Sequence, residues 1–523
     1  MRLHRQLKII CRTFYLPLGC LALIAVMLRL KTDTQPMSTS NSIQELPNIV
    51  FMLADDLGYG DVGYNGGPAE TPNLDAMASS PHSIKFTHFY SGAPVCSPTR
   101  GTLLTGRNHN RYCLWTANMP GPNCKHQDDL ACPTKMPLPT SEVTVAEILR
   151  DHGYHTATFG KWHLGDLMPV QGGNKQWPTS HPGQHGFDTW KVTKRIVPTA
   201  NPNCACFNAS LCRLGHYETK PPPPCANYYS GKKGDRNILT HRQTIIGDDS
   251  DFIVKVFAKF LGETAHLNQP FFVYIAFHAP HGRYIAVSPY LEKYKEKGYV
   301  QEDVDYYGTI TAMDSAIGNI RALLRQHKLR EKTMLWFASD NGPDSKSPGR
   351  TAGLRGRKGS LYEGGIRVPG IIEWPGVIKH NRISAYPVVT SDFLPTVCDI
   401  LGTNVPQDRA IDGISVLPVI LGESHTEQRK KPIAWAFNTW GDFSGNYKMA
   451  LVDNHIKVYA DINDGKVTKA ALYNLLADPT ESQDVSVQNH QLLNSLLAGL
   501  DTWIHSVSSS AEVNVGCTKM TSL

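Results

Sequence analysis

The chain has 523 residues, of which 41% are hydrophobic and 19% are charged, as in an ordinary globular protein large enough for more than one core. The formal net charge of +6 arises within residues 1–31, which contain six Lys or Arg and no Asp or Glu. The remainder balances 46 basic against 46 acidic residues, which argues against a nucleic-acid groove or a basic membrane-binding face.

The N-terminal residues have the pattern of a secretory leader. A basic stretch, MRLHRQLK, precedes the apolar run TFYLPLGCLALIAVML, which is shorter than the ~20 residues of a comfortable membrane span. Residues 1–31 are therefore either a cleaved signal peptide or a short type II anchor with a cytosolic N-terminus, and the polar residues 32–45 form a flexible stalk. Both alternatives place the body in the secretory pathway, with the lysosome, the Golgi, the cell surface and the extracellular space as destinations.

Cysteine usage agrees with an oxidising compartment. Two loop-like stretches hold Cys113, Cys124, Cys132, Cys204, Cys206, Cys212 and Cys225. We predict disulfide-stapled loops, because the alternative interpretation, a zinc knuckle, requires paired C-x-x-C spacing that these stretches lack. In the second stretch Asn208 begins an Asn-Ala-Ser sequon, which predicts an N-linked glycan.

Four apolar runs predict buried strands, and each run ends abruptly in polar residues. NIVFML leads into Asp55 and Asp56, HTATFG into Lys161 and His163, FFVYIAF into His278 and His281, and TMLWFA into Asp340 and Asn341. Nearly continuous β-branched and aromatic runs are typical of strands buried on both faces of a parallel sheet. Because ligands bind at the carboxyl ends of such strands, we expect the four polar clusters to converge on one site.

Amphipathic stretches before three of these strands predict crossover helices. They are TVAEILRDHGY, DSDFIVKVFAKFLGE and YYGTITAMDSAIGNIRALLRQHKL. The alternation predicts an α/β fold over residues 46–424, with a large mixed, mostly parallel sheet flanked by helices. The later runs IAWAFN, YKMALVD, HIKVYA and NHQLLNSLLAGLDTWIHSV predict a smaller C-terminal antiparallel sheet closed by a helix over residues 425–523.

The acidic residues at two strand ends are candidate metal ligands. Asp55, Asp56, Asp340 and Asn341 offer only oxygen donors, and their carboxylates repel one another unless a cation binds between them. Hard oxygen ligands favour Ca²⁺ or Mg²⁺ over zinc. An Asp-Asp pair alone more often caps a turn, but acidic clusters at two strand ends favour a metal site.

Cationic side chains at the same edge are candidates for holding a tetrahedral oxyanion. Lys161, His163 and His281 follow strands, and Lys358 lies in the glycine-rich GLRGRKGSLYEGG. A sulfate or phosphate ester needs charge compensation and a proton donor for its leaving oxygen, which Lys and His supply. Any one of these side chains, taken alone, is most often simply solvated.

The stretch CSPTRGTLLTGR places a cysteine at the start of a predicted helix. Pro98 suits a first-turn position, which puts Cys96 near the N-cap and Arg100 on the same face of the first turn. The N–H groups of a helix N-terminus attract anions. Cys96 is thus either an incidental thiol, half of a disulfide, or a nucleophile beside its anion clamp.

This stretch resembles the signature of the formylglycine-dependent sulfatases, in which the cysteine of C-x-P-x-R is oxidised to an aldehyde in the endoplasmic reticulum. Other blocks are similar to that family and follow its order: ADDLGYGDVG, TPNLDAMA, GKWHLG, HGFDTW, SDNG, GRKGSLYEGGIRVPG, TSDFLPTVCDILG and LYNLLADPTE. The resemblance implies an alkaline phosphatase-like fold, a catalytic domain over residues 46–424, and hydrolysis of aryl or glycan sulfate esters. The segments LRGRKGSLYEGG and HAPH look most like the animal arylsulfatases, including the N-acetylgalactosamine-4-sulfatase type.

The resemblance also implies a role for each site residue. Cys96 becomes formylglycine through the formylglycine-generating enzyme, and the hydrate attacks sulfur and then expels sulfate. The implied ligands of one Ca²⁺ are Asp55, Asp56, Asp340, Asn341 and the group at position 96. The implied catalytic and substrate-binding residues are Arg100 beside the hydrate, Lys161 and Lys358 on the sulfate, His163 in sulfate elimination, and His281 as the acid for the leaving alcohol.

One segment departs from the family pattern, and two alternatives share the motif. After HGFDTW the sequence continues KVTKRIVPTANPNCACF, so substrate contacts cannot be transferred there. The alternatives are a phosphodiester or phosphonate monoester hydrolase that uses the same formylglycine and a non-catalytic protein that binds sulfated glycans. A two-metal phosphatase is disfavoured because a second set of His and Asp ligands is lacking. Conversion of Cys96 leaves nine luminal cysteines, so at least one of them stays an unpaired thiol.

Overall fold

The computed structural model describes residues 45–117, 136–168, 170–172, 175–177, 179–202, 228–233, 238–241, 245–423, 428–438 and 446–512. The chain divides into two compact units, Met1–Gln44 and Glu45–Leu523, and every described residue belongs to the second. The predicted leader, Asn208 and six of the seven loop cysteines lie outside the described residues. The predicted boundary at residues 424 and 425 does too, and it stays a prediction.

The described residues form seventeen strands. They are β1 (Asn48–Ala54), β2 (Ser83–Tyr90), β3 (His155–Lys161), β4 (Val170–Gly172), β5 (Lys175–Trp177), β6 (Thr189–Thr193), β7 (Tyr228–Lys232), β8 (Leu239–His241), β9 (Phe271–Ala276), β10 (Thr333–Ser339), β11 (Arg367–Glu373), β12 (Arg382–Ser384), β13 (Val388–Val389), β14 (Ile433–Phe437), β15 (Asn446–Asp453), β16 (Ile456–Asn463) and β17 (Lys466–Asn474).

Ten α-helices occur in the same part of the chain. They are α1 (Pro72–Ala78), α2 (Cys96–Thr105), α3 (Val145–Asp151), α4 (Asp249–Thr264), α5 (Tyr290–Lys295), α6 (Gln301–Gln326), α7 (Glu363–Ile366), α8 (Phe393–Ile400), α9 (Leu417–Leu421) and α10 (His490–Glu512). No helix of the described ranges is both long enough and apolar enough to cross a membrane.

An 11-stranded mixed sheet forms the centre of the described unit. Five neighbouring strands, in the order β10-β1-β9-β3-β6, run parallel to one another. Antiparallel β11 connects this parallel core to β2 on one side, and antiparallel β7 pairs with β6 on the other. The predicted α/β fold is confirmed, and the four predicted strands match β1, β3, β9 and β10 to within one residue at each end.

Strand β1 is buried on both faces, as its continuous apolar sequence predicts. Val50 and Met52 join a core cluster with Phe257 of α4 and Ile310 of α6. Phe51 points to the opposite face, where its ring stacks on Trp336 at 5.7 Å and meets Phe393 of α8 edge-on at 4.8 Å. Each large apolar side chain buried in this way contributes about 1.5–3 kcal/mol, so helices on both faces are needed to make the sheet stable.

A second sheet follows towards the C-terminus, in the order β14-β15-β16-β17, with all neighbours antiparallel. Leu500 and Ile504 of α10 pack against Met449 and Val458 on one of its faces. The other face packs on the residues around Tyr90 of β2 through Trp435, whose ring contacts Tyr90 at 5.6 Å. The predicted smaller sheet and helix are confirmed, and β17 is an additional strand that the sequence did not predict.

Candidate active site

The four polar clusters do converge, because β10, β1, β9 and β3 are adjacent and parallel. Backbone hydrogen bonds fix the strand ends to each other: Asp55 N–H donates to Ala279 O at 3.0 Å, and Asp340 N–H donates to Ala54 O at 3.1 Å. The side chains that follow these strands are therefore held at one edge of the sheet, as the general rule for ligand sites in parallel sheets requires.

Asp340 and Asn341 connect the end of β10 to the end of β1. Asp340 Oδ1 accepts from Asp56 N–H at 3.1 Å, and Asn341 Nδ2 donates to Asp56 Oδ1 at 2.6 Å. Arg100, fully buried on α2, donates to Asp340 Oδ2 from Nε at 3.1 Å and from Nη2 at 2.7 Å. Arg100 also donates from Nη1 to Lys161 O at 3.1 Å, so one guanidinium ties α2 to two strand ends.

Two lysines neutralise the remaining carboxylates. Lys161 Nζ donates to Asp55 Oδ2 at 2.6 Å, and both side chains are fully buried. Lys358 Nζ donates to Asp56 Oδ2 at 2.7 Å. Charge-assisted bonds of this length stabilise groups that could not be buried singly.

These cations separate the pKa values of the three carboxyl groups. Burial by itself would raise the pKa of Asp55, but Lys161 and the other nearby cations outweigh burial, so that this pKa lies well below its usual range. The pKa of Asp56 is likewise lowered, with Lys358 outweighing burial. Burial and the charge on Asp55 raise the pKa of Asp340 to about 7. Asp55 and Asp56 are thus the permanent anions of the site.

Cys96 is the first residue of α2, directly after Val95 at the N-cap, which agrees with its predicted position near the cap. It is a free cysteine with only 1% of its surface exposed, and its Sγ lies 3.9 Å from Asp56 Oδ1. Burial raises the pKa of the Cys96 thiol, against the opposing effect of Lys161 and Lys358. The side chain is therefore a neutral thiol, which is a poor nucleophile as it stands.

Two histidines flank the anionic cluster. His281 is part-buried, and its Nε2 lies 3.2 Å from Lys358 Nζ and 3.5 Å from Asp56 Oδ2. His163 is 6% exposed and has a left-handed backbone with φ of 56°, which is uncommon for any residue other than glycine. Burial and the charges of Lys161 and Arg100 lower the pKa of His163 well below its usual range, so its imidazole is neutral.

The loop that carries Lys358 is held by its own backbone. Lys358 N–H donates to Pro343 O at 3.1 Å, and Gly359 N–H donates to Pro94 O at 2.9 Å, just before α2. A side chain at Gly364 would place its Cβ 2.2 Å from Gly356 O, so the turn closes only with glycine there. The glycine-rich sequence thus serves a close approach of backbone to backbone.

The donor set fits an oxygen-seeking cation. Ligand atoms of Asp55, Asp56, Cys96 and His281 all lie within 4.8 Å of one another. Asp55 Oδ1 is buried and accepts no hydrogen bond from the described residues, as expected for an oxygen that would ligate a metal. All five residues predicted as metal ligands lie at this edge, although Asp340 is bonded to Arg100 and His281 joins the group instead.

Sequence reasoning missed Asp61, a buried carboxyl group beside the site. Its Oδ2 accepts from Gly58 N–H at 2.7 Å and from Tyr306 O–H at 2.8 Å, and its Oδ1 accepts from Arg350 N–H at 2.6 Å. Asp61 thereby connects the turn after β1 with α6. The acidic residue was visible in ADDLGYGDVG, but its partners lie 245 and 289 positions away.

The described cysteines include one that is disulfide-bonded and two that are free, as the sequence predicts. Cys113 is disulfide-bonded, while Cys96 and Cys398 are free and buried. Cys398 on α8 is thus an unpaired thiol besides Cys96, which confirms the expectation of at least one.

Comparison with known proteins gives two family matches. The family model described as Sulfatase matches residues 47–403, and the model described as N-sulphoglucosamine sulphohydrolase, C-terminal, matches residues 357–506. N-acetylgalactosamine-6-sulfatase of Canis lupus familiaris is 29% identical over 86% of this chain and 84% of its own length. The protein of the same name from Homo sapiens is 32% identical over 72% of this chain and 66% of its own.

A third relative, arylsulfatase G of Rattus norvegicus, is 30% identical over 73% of this chain and 70% of its own length. The narrower resemblance to the 4-sulfatase type stays a prediction. Among solved structures, Ps i-CgsB in complex with k-i-k-neocarrahexaose has a TM-score of 0.71 at 24% identity, covering 88% of this chain and 93% of its own. Phosphonate monoester hydrolase of Agrobacterium radiobacter has a TM-score of 0.58 at 19% identity, covering 89% and 96%. Both structural matches establish the fold alone.

Proposed function

This chain belongs to the sulfatase family, as the match over residues 47–403 shows, and we propose that it hydrolyses glycan sulfate esters at the site around Cys96. A sulfuric ester hydrolase is the activity that the family implies, together with a formylglycine and a divalent metal. The observation that carries the proposal is the position of the Cys96 thiol, buried at the start of α2 and 3.9 Å from Asp56. Arg100, Lys161 and Lys358 surround the same carboxylates.

The modification of Cys96 follows from the chemistry of the thiol. With its pKa raised by burial, the thiol is protonated, and a thiol that attacked sulfur would leave a stalled adduct. An aldehyde at position 96 supplies, as its hydrate, one hydroxyl to attack sulfur and another to release the product. We propose that the formylglycine-generating enzyme converts Cys96 during maturation.

The side chains around Cys96 have different roles in the hydrolysis of the sulfate ester. Lys161 and Lys358 have their ammonium groups at the carboxylate cluster, where they bind the sulfate oxygens. His281, which is part-buried beside Lys358, holds the proton for the leaving alcohol. His163 is a neutral base that takes a proton as sulfate is eliminated. Arg100 holds Asp340 and the end of β3 in place.

We propose that the divalent metal is one Ca²⁺, held by Asp55, Asp56, Asp340, Asn341 and the group at position 96. Its contribution when bound is to polarise the sulfate oxygens. Oxygen donors select Ca²⁺ or Mg²⁺. A crowded set of protein ligands favours Ca²⁺, because Mg²⁺ keeps several of its waters. Rotation of the Asn341 amide by half a turn would point Oδ1 towards the carboxylates in place of Nδ2.

The substrate and the compartment are proposals of the same kind. Two of the relatives are named N-acetylgalactosamine-6-sulfatase, and another fold neighbour was solved with D-glucosamine-2-N, 6-O-disulfate, so a sulfated glycan is the favoured substrate class. The leader and the disulfide at Cys113 support residence in the secretory pathway, either free in the lumen or anchored through the N-terminus. Asn208 is the proposed glycan site.

The test is mass spectrometry of the peptide that contains residue 96, on protein made in a eukaryotic secretory system, together with sulfate release from an aryl sulfate. We expect an aldehyde at position 96 and no sulfate release by Cys96→Ala. Cys398→Ala is the matched control, because Cys398 is the other buried free thiol of the described residues and should leave turnover intact. An unmodified thiol, or turnover by Cys96→Ala, would refute the proposal.

Substrate class is tested with the same protein. Defined glycosaminoglycan fragments are compared with phosphodiesters and phosphonate monoesters under identical conditions. We expect sulfate release from a glycan and little turnover of the phosphorus esters. Faster hydrolysis of a phosphorus ester would favour the alternative activity, and tight glycan binding without turnover would favour a non-catalytic protein.

A further inference from the structure

A chain of buried polar side chains lies behind the site, centred on His278 after β9. His278 Nδ1 lies 2.6 Å from Asp249 Oδ2 at the start of α4, and His278 Nε2 lies 2.7 Å from Thr193 Oγ1 at the end of β6. Tyr228 O–H donates to Asp249 Oδ1 at 2.5 Å, and Thr193 Oγ1 donates to Arg195 O at 2.7 Å. His278, Asp249 and Thr193 are each at most 2% exposed.

Both ring nitrogens of His278 have a buried partner. The hydroxyl proton of Thr193 is used on Arg195 O, which leaves Thr193 Oγ1 free to accept from His278 Nε2–H. Asp249 is the partner of His278 Nδ1 on the opposite side of the ring. The imidazole is therefore held at two points, which fixes both its position and its orientation.

Thr193, at one end of this series of hydrogen-bonded side chains, lies beside the backbone of Trp162 and His163. Trp162 N–H donates to Thr193 O at 3.0 Å, and His163 N–H donates to Lys194 O at 3.2 Å. These bonds continue the pairing of β3 with β6, in which Lys161 lies opposite Thr193. The position of His163, with its left-handed backbone, therefore depends on where the end of β6 lies.

The backbone of His278 is hydrogen-bonded to the segment that contains His281. His281 N–H donates to His278 O at 2.9 Å, and the intervening Ala279 O accepts from Asp55 N–H at 3.0 Å. Strands β3 and β9, which precede His163 and His281, pair directly as far as Gly160 and Ala276. His278 extends this connection beyond the paired residues, through its contact with Thr193 at the end of β6.

We propose that Asp249, His278 and Thr193 form a positioning chain that fixes the distance between His163 and His281. This inference rests on the proposed function, because it assigns the three side chains a role in sulfate ester hydrolysis. Buried hydrogen bonds between polar side chains stabilise a protein only modestly, since desolvation offsets most of the attraction. A contribution to geometry explains why three polar side chains are buried together here. None of the three side chains touches the substrate, so they are positioning residues.

The test compares Thr193→Val with Thr193→Ser and His278→Gln in full-length protein whose conversion at residue 96 is verified by mass spectrometry. Val removes the hydroxyl at nearly constant volume, whereas Ser restores it. We expect Thr193→Val and His278→Gln to lower kcat on an aryl sulfate by about 10- to 100-fold with a much smaller change in KM, because small displacements of catalytic groups act on the chemical step. Thr193→Ser should recover most of the kcat.

His109→Gln is the matched control for loss of stability. His109 is also fully buried, and its Nδ1 lies 2.9 Å from Leu114 O, away from the four strand ends. We expect it to lower the melting temperature without the selective loss of kcat. If His278→Gln and Thr193→Val lose only stability and keep their kcat, the positioning chain is refuted while the proposed function stands.

A spectroscopic measurement tests the hydrogen bond between His278 and Asp249 without relying on activity. A proton in a short, buried hydrogen bond between an imidazole nitrogen and a carboxyl oxygen gives a resonance far downfield of the amides. We expect such a resonance in the wild-type protein and its loss in His278→Gln and Asp249→Asn. Its absence from the wild type would overturn the positioning chain. If the wild type released no sulfate from any ester, the proposed function would fail, and this resonance would still report on the hydrogen bond.

Discussion

Lys457 Nζ on β16 lies 2.9 Å from Glu363 Oε1 at the start of α7, and both side chains are fully buried. Glu481 completes the cluster, with Oε1 at 2.9 Å from the same ammonium and Oε2 accepting from Glu363 N–H at 2.6 Å. The C-terminal sheet is thereby attached to the helix that follows the Lys358 loop. This buried ionic contact adds to the apolar packing of the same sheet around Tyr90 and Trp435.

Lys457→Met should therefore destabilise the protein strongly. Glu481 would remain buried without its cation, and Glu363 would keep only Arg367, 3.7 Å from its Oε2. Removal of one partner of a buried ion pair typically costs about 3–5 kcal/mol. Urea unfolding measures the change, with Lys448→Met on neighbouring β15 as the control, because that lysine is exposed. Replacement of all three residues by Met and Gln should recover part of the loss. A free energy of unfolding that is equal in the two single variants would contradict this account.

A second prediction concerns Gly160, which lies one residue before Lys161 of the site. Its φ is 97°, and a Cβ there would be 1.9 Å from Ala276 O on the paired strand β9. Gly160→Ala should lower stability by clearly more than the ~1–2 kcal/mol that a left-handed backbone costs an L-residue. It should also reduce sulfate release. Gly153→Ala is the matched control: its φ is 85°, but nothing lies within 4 Å of its Cβ, so thermal unfolding should show a much smaller loss. Similar losses in both variants would exclude the backbone clash.

The buried carboxyl group of Asp61 should make the free energy of unfolding depend on pH. Burial raises its pKa from 3.8 in the unfolded chain to about 7, and its three hydrogen bonds do not compensate. Between these values the folded protein holds a proton that the unfolded chain releases. The stability from this group is therefore complete below about pH 4 and is lost as the pH rises towards about 7, at about 1.4 kcal/mol per pH unit.

Asp61→Asn measures that effect. The difference in free energy of unfolding between the wild type and this variant should fall as the pH rises across that window. Asp399→Asn, which makes the same substitution at an exposed position, serves as the control. Urea unfolding at several pH values provides the data, and a flat difference for Asp61→Asn would show that its carboxyl group is ionised in the folded protein.

Removal of divalent metal should lower the melting temperature. A ligand that binds only the folded state at 100 times its Kd stabilises by about 2.7 kcal/mol, so Ca²⁺ added to chelator-treated protein should raise the melting temperature. Asp55→Asn should lose this response, because it removes the charge of a proposed ligand whose buried Oδ1 accepts no hydrogen bond from the described residues. Asp464→Asn, in the exposed turn after β16, should keep it. A larger response to Mg²⁺ than to Ca²⁺ would contradict the proposed identity of the metal.

The strands around the site were predictable because each is an isolated run of apolar residues buried on both faces. NIVFML became β1 and TMLWFA became β10, and the polar residues after them marked the ends of both strands. Local composition is sufficient to predict such strands, because a strand buried on both faces is apolar at almost every position and does not alternate with polar residues. Strand β17 was missed for the opposite reason: its first four residues, Lys466–Lys469, are exposed and read as a loop.

The sequence by itself determined the family, the sheet and the edge at which Cys96, Asp55, Asp56, Lys161 and Lys358 meet. Only the tertiary structure decided which cation neutralises which carboxylate, and which distant residues are the buried partners of His278, Asp61 and Lys457. The physical reason is distance along the chain. Residue types and strand ends are local properties, whereas a buried ion pair depends on partners as far as 302 positions apart, as for Lys358 and Asp56, which come together only when the sheet closes.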